Sequence, residues 1–237
     1  MNDFTKEELL RYRHQLILTE VGKKGQEKLK NAKVLVVGAG GLGCPALQYL
    51  CSAGVGTIGI IDFDTVELHN LNRQILYSTD DIGKPKVEIA AGKLKSQNPN
   101  VSFIVFNEIL NKKNGKEIIS RFDIIVDGSD NFPTRFLVND ICAELNKPLV
   151  FGSIYKFEAQ LAVFNYKNNK NLRDVYGEPP DSEDAPGCNE SGVLGVVPGI
   201  LGVYMANATI QLILDIYKSD SFIVFDLLKF DILKLKM

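Results

Sequence analysis

The hydrophobic positions of the chain change period repeatedly, from short apolar runs to stretches with helical spacing, and this alternation predicts a parallel sheet covered by helices on both faces. Lys33 to Val37 is an apolar, β-branched run, Gly41 to Ala53 has helical spacing, and Thr57 to Asp62 is a second buried strand; together they form one βαβ unit. The alternation continues with a helix over Lys84 to Gln97, strands over Val101 to Phe106 and Asp123 to Val126, a helix over Phe132 to Leu145 and a strand over Pro148 to Phe151. Ahead of this core, Thr5 to Glu8 has the form of a capping box that starts a helix, and a second polar helix is expected around Gly25 to Asn31.

Beyond Glu158 the pattern shifts. Ala159 to Tyr166 alternates apolar and polar side chains as a half-exposed antiparallel strand does, and 168–190 is a long polar stretch read as a functional crossover loop. Leu194 to Ile216 reads as a buried helix with Pro198 near its start, and strands around Phe222 to Phe225 and Phe230 to Leu235 close the sheet in antiparallel fashion. The fold class is therefore α/β, a Rossmann-like, mostly parallel sheet extended by antiparallel strands. The expected organisation is one unit over 1–237: helices over 1–31, a nucleotide-binding core over 32–156, and the crossover, long helix and antiparallel strands over 157–237.

Composition narrows the function. The 237 residues are 45% apolar and 24% charged, as in ordinary globular proteins, and the net charge of −2 is too small to create a basic field for nucleic acid. No apolar run is taken to approach the roughly 18 residues that span a bilayer, and the amino terminus lacks the basic flank of a signal peptide, so a cytoplasmic protein with no membrane partner is expected. Cys44, Cys51, Cys142 and Cys188 form no C-x-x-C pair, which disfavours a zinc knuckle, and reduced thiols are expected.

The candidate chemistry begins at V-V-G-A-G-G-L-G, where Gly38, Gly40 and Gly43 have the G-x-G-x-x-G spacing between a strand and a helix. Glycines there let the backbone approach a phosphate, and the free N–H groups of a helix start favour its negative charge. Asp62 ends the second strand, 19 residues after Gly43, where a carboxylate can accept from ribose hydroxyls. Up to this point NAD and ATP are both allowed. The stretch D-F-D-T-V-E-L-H-N-L-N-R-Q and the following K-P-K favour a triphosphate, because Arg73 and Lys86 fall near the carboxyl ends of the strands with Asn70 beside them. Asp130 follows the strand over Asp123 to Val126 and is placed to hold Mg²⁺, although by type it could equally cap the helix that begins near Thr134 and Arg135.

With these blocks in view, the sequence resembles the ThiF/MoeB/HesA family, bacterial relatives of ubiquitin-activating enzymes. The resemblance is carried by R-Y-R-H-Q-L-I-L, G-A-G-G-L-G-C-P, A-G-V-G-T-I, D-F-D-T-V-E-L-H-N-L-N-R-Q-I-L, G-K-P-K, D-G-S-D-N-F-P-T-R and G-C-N-E-S-G-V-L-G-V-V-P-G. It implies ATP-dependent adenylation of the carboxyl terminus of a small ubiquitin-like sulfur-carrier protein ending in Gly-Gly, for thiamine or molybdopterin synthesis, by a homodimer. By motif match, Gly38, Gly40, Gly41, Gly43, Asp62 and Asp64 hold the nucleotide. Asn70, Arg73 and Lys86 hold its phosphates, and Asp130, with Asn131 beside it, holds the metal. Arg73, Lys86, Asp130 and Cys188 are the catalytic candidates; Cys188 matches a cysteine that links covalently to the carrier in some members, with an unused thiol as the alternative.

Three departures stand out. His14 replaces an arginine expected to reach the ATP of the partner subunit, with Arg13 or Arg11 as substitutes, and both zinc-binding C-x-x-C pairs of many members are missing, so no zinc is expected. An NAD(P)-dependent oxidoreductase, and a carrier-binding protein without catalysis, are the competing readings.

Overall fold

A computed structural model describes residues 4–167, 170–179 and 192–237. Eight strands form one sheet in the order β3-β2-β1-β4-β5-β6-β7-β8. The first five in the chain are β1 (Lys33–Val37), β2 (Thr57–Ile61), β3 (Ser102–Phe106), β4 (Ile124–Asp127) and β5 (Leu149–Tyr155), and they run parallel. The remaining three, β6 (Glu158–Phe164), β7 (Ser221–Asp226) and β8 (Asp231–Lys236), extend it in antiparallel fashion. The expected fold class holds, including the antiparallel extension.

Strand pleating sends successive side chains to opposite faces, and β1 feeds both core layers. Val34 and Val36 pack with Leu47 and Leu50 of α4 (Gly43–Ala53), Val87 and Leu94 of α5 (Lys86–Gln97), and Leu201 and Met205 of α9 (Val196–Ile213). Leu35 and Val37 face the other way, toward Ile118 of α6 (Gly115–Ser120), Phe136 and Ile141 of α7 (Phe132–Glu144), and Leu172 of α8 (Leu172–Tyr176). At the amino end, α1 (Lys6–Arg11), α2 (Arg13–Leu16) and α3 (Gly22–Asn31) precede the sheet. The capping box is present: the Glu8 amide donates to Thr5 Oγ1 at 3.1 Å, and the Thr5 amide donates to a Glu8 carboxylate oxygen at 2.9 Å.

Several expectations need correction. The six-residue α6 is too short to register as a helical period, and α8 interrupts the start of the stretch read as a loop. β5 runs on to Tyr155 and pairs with β6 through a tight turn in which Lys156 has φ +53°. The 18 residues of α9 do reach bilayer length, contrary to the sequence reading; Val197, Leu201, Met205, Ala208 and Leu212 are buried, which makes it a core helix packed on α4, β5 and β6.

Candidate active site

Strand order reverses between β1 and β4, and the crevice outside the carboxyl ends at such a switch point is where α/β sheets bind ligands. A cavity of about 360 Å³ lies there, within the size range of small-molecule sites. Val37, Ile61 and Leu110 give it apolar wall; Asp62, Asp64, Arg73, Gln74, Lys86, Asp130, Asn131 and Arg135 give it polar wall.

The glycine loop forms the floor, and its glycines have different jobs. Gly38 has φ +88°, and a Cβ there would stand 2.8 Å from the Gly128 carbonyl oxygen. At Gly43 a Cβ would come within 1.9 Å of the Gly38 carbonyl oxygen, so this glycine serves close packing of the turn and does not line the cavity. Gly40 is different: among the described residues a Cβ would meet only Gln74 Nε2, at 3.7 Å. Nothing in the fold demands glycine at position 40, and a side chain there would occupy the cavity it lines. That bare backbone fits a phosphate-bearing ligand.

Asp62 closes β2 and ties two loops together. Its Oδ2 accepts from the Ala39 amide at 2.7 Å and its Oδ1 from the Asp64 amide at 2.8 Å. Burial pushes its carboxyl above the ordinary 3.8, partly offset by those two amides and by Lys86. A carboxylate offers about four lone-pair sites, so acceptor capacity remains toward the cavity.

The cations are present and engaged. Lys86, the first residue of α5, is 4% exposed, and its Nζ lies 2.8 Å from Asp64 Oδ2. Arg73 donates through Nη1 to the His69 carbonyl at 2.9 Å and to Asn72 Oδ1 at 3.1 Å. Asn70 is not brought to the cavity wall: its Oδ1 accepts from the Glu67 amide at 3.0 Å and its Nδ2 lies 3.1 Å from His69 Nε2, so the amide is spent on its own turn.

Asp130 is exposed at the rim, and Asn131 rather than Asp130 caps α7, accepting from the Thr134 amide at 2.9 Å. This leaves the Asp130 carboxylate for a ligand. Among the described residues no three His, Cys, Asp or Glu side chains converge to hold a metal. One exposed carboxylate beside a phosphate site still fits Mg²⁺, which is commonly held by one or two carboxylates plus substrate phosphates.

Cys188 lies outside the described residues. The other three cysteines are buried, and burial pushes Cys44 up to about 12 and Cys51 up to about 11, which makes them inert thiols.

Sequence reasoning missed Gln74, Asp127 and Arg135. All three are buried, and each has a polar atom without a hydrogen-bond partner among the described residues: Gln74 Oε1, Asp127 Oδ2 and Arg135 Nε. Gln74 and Arg135 line the cavity. The Q of N-L-N-R-Q and the R of P-T-R were signals available in blocks already singled out.

The sequence model of the ThiF family matches residues 12–237. The chain belongs to the ThiF family. A sulfur carrier protein adenylyltransferase of Thermus thermophilus is 48% identical over 220 residues, covering 91% of this chain and 81% of that protein. A probable molybdopterin-synthase adenylyltransferase of Porphyra purpurea is 45% identical over 91% of this chain and 56% of its own length. An adenylyltransferase and sulfurtransferase of Xenopus laevis is 45% identical over 85% of this chain and 45% of its own. The chain thus spans about half the length of several relatives of this ThiF family member. Among solved structures, PaaA superposes with a TM-score of 0.83 at 23% identity, covering 100% of this chain and 75% of that one. Escherichia coli MccB gives 0.83 at 24%, covering 100% and 73%. Both likenesses concern the fold.

Proposed function

We propose that this ThiF family member adenylates the carboxyl-terminal Gly-Gly of a small ubiquitin-like sulfur-carrier protein, consuming ATP and releasing pyrophosphate, for molybdopterin or thiamine synthesis. The observation that carries this reading is the convergence of a bare glycine floor, Lys86, Arg73 and Asp130 on one cavity at the switch point of the sheet. Relatives of 45–49% identity named as adenylyltransferases of sulfur-carrier and molybdopterin chemistry support it.

In this reaction a carboxylate oxygen attacks the α-phosphorus, the bond to pyrophosphate breaks, and the electron pair leaves with pyrophosphate. The nucleophile is already ionised at neutral pH, so no general base is needed. The barrier arises from bringing two anions together, and fixed cations lower it most. Lys86 and Arg73 supply that charge, Gly40 and Gly41 bring backbone to the phosphates, and Asp62 accepts from the ribose. The apolar wall of Val37, Ile61 and Leu110 suits the base. Asp130 would hold Mg²⁺, which would supply positive charge beside the phosphates. NAD(P) chemistry would leave this cation set without a task.

A homodimer belongs to the same proposal. Arg13 and His14 are exposed, and the neighbouring Ile17 and Leu18 are 73% and 52% exposed, an apolar surface suited to a subunit boundary.

Incubation with ATP, Mg²⁺ and candidate Gly-Gly carriers, followed by mass spectrometry, tests the reading. Expected is a carrier heavier by one adenylyl group and carrier-dependent exchange of pyrophosphate into ATP. No adduct with any Gly-Gly carrier, or tight binding of a nicotinamide dinucleotide in the cavity, overturns it.

A further inference from the structure

Arg135 is 4% exposed, and burying a guanidinium is costly unless its donors are satisfied. Among the described residues its hydrogen-bond partners are neutral: Nη1 donates to Ser153 Oγ at 2.6 Å and Nη2 to the Ser129 carbonyl at 3.0 Å. The guanidinium also lies 5.6 Å from the Phe132 ring centre and 5.5 Å from that of Phe151. The guanidinium also acts electrostatically on the fully buried Asp127 carboxyl and lowers it against the effect of burial, which accounts for the charge; the two directed donors have a further purpose.

Its position indicates the purpose. One planar fork joins α7, which carries Arg135, to β5, which carries Ser153, and to the loop whose next residue is Asp130. The loop is otherwise gripped at its two ends. Upstream, the Ser129 amide and hydroxyl donate to Asp127 Oδ1 at 3.0 and 2.6 Å; downstream, Asn131 caps α7. Among the described residues Asp130 has one hydrogen-bond contact, from Asn131 Nδ2 at 3.2 Å.

We infer that Arg135 is a positioning residue for Asp130, clamping the Ser129 carbonyl against β5 so that the neighbouring carboxylate is presented at a fixed point on the cavity rim. The inference rests on the adenylation reading for the ligand Asp130 receives, and concerns a residue with no direct task in that reading. Lysine preserves the charge but lacks the fork that bridges two acceptors. Supporting groups around a metal ligand typically matter 10–100-fold for affinity.

The test uses Mn²⁺ as the probe, bound in the presence of a non-hydrolysable ATP analogue and followed by electron paramagnetic resonance, alongside thermal melting. Arg135→Lys is expected to weaken Mn²⁺ binding about 10-fold, and Ser153→Ala to weaken it in the same direction by a smaller factor. The decisive comparison is the double variant with Asp130→Asn, expected to bind no more weakly than Asp130→Asn alone, because Arg135 acts through that carboxylate. Losses that multiply, or parental Mn²⁺ binding in Arg135→Lys, overturn the inference. If Arg135→Lys fails to fold, Ser153→Ala with and without Asp130→Asn decides by the same criterion. A parent protein that binds Mn²⁺ and nucleotide but makes no acyl-adenylate would instead sink the adenylation reading.

Discussion

Replacing Lys86 by methionine removes one positive charge from the cavity while keeping most of the stem, and the structure gives separate expectations for stability and for activity. The Lys86 side chain is 5% exposed, but its partner Asp64 keeps a side-chain exposure of 49%. Asp64 is therefore solvated when the pair is broken, and the stability loss stays within about 1 kcal/mol, the scale of partly exposed ion pairs. Activity is a different matter. A preorganised charge aimed at a group that gains negative charge during reaction is worth about 3–4 kcal/mol in a water-poor site, or 10²–10³ in rate. The assay is carrier-dependent pyrophosphate exchange at saturating ATP, with melting curves for parent and variant. Lys86→Met is expected to melt within a few degrees of the parent and to turn over at least 100-fold more slowly. A folded variant retaining more than a tenth of parental turnover would refute the placement of Lys86 at the reacting phosphates.

Gly43→Ala sets a Cβ 1.9 Å from the Gly38 carbonyl oxygen and is expected to lower stability by about 3 kcal/mol in denaturant titration, whereas Gly40→Ala melts as the parent does but binds ATP at least 10-fold more weakly by calorimetry. Reversal of that pattern would place the phosphate elsewhere. Asp62 gives a pH expectation: its carboxyl lies above 3.8 in the folded chain, so between 3.8 and the raised value the folded state binds more protons and stability falls as pH rises. Measured against Asp62→Asn, the parent is expected to lose relative stability as pH climbs through that window and to hold constant above it; a parent that gains stability relative to Asp62→Asn as pH rises would mean the carboxyl is depressed instead.

The sheet was legible because its strands are short apolar runs bounded by glycine and polar residues, with amphipathic or apolar helices between them. Val34 to Val37 reads as a strand buried on both faces, and it is one. The glycine loop was legible for the same local reason, since Gly38 and Gly43 answer constraints of the turn itself. What sequence reading lost depends on contacts distant in the chain. Arg135 looks like one more helical arginine until Ser153, 18 residues on, brings β5 beneath it. Asn70 misleads in the opposite direction: it belongs to a block that faces the cavity through Arg73 and Gln74, but its amide turns back to Glu67. Neighbours in a tight turn point in different directions, and a motif does not say which.

The placement of the charges also bears on how the site changes when it fills. Lys86 is held by Asp64, and Arg73 by the His69 carbonyl and Asn72, so neither cation stands free. On the proposed adenylation, a triphosphate entering this cavity would compete with Asp64 for Lys86 and would win by bringing more negative charge to the same donors. Asp64 then has to turn toward solvent, for which its exposure provides room. The pairing gives a buried ammonium a hydrogen-bonded partner before ligand arrives, at the cost of some affinity for the ligand. On the same proposal, Asp64 would be a resident stand-in for phosphate.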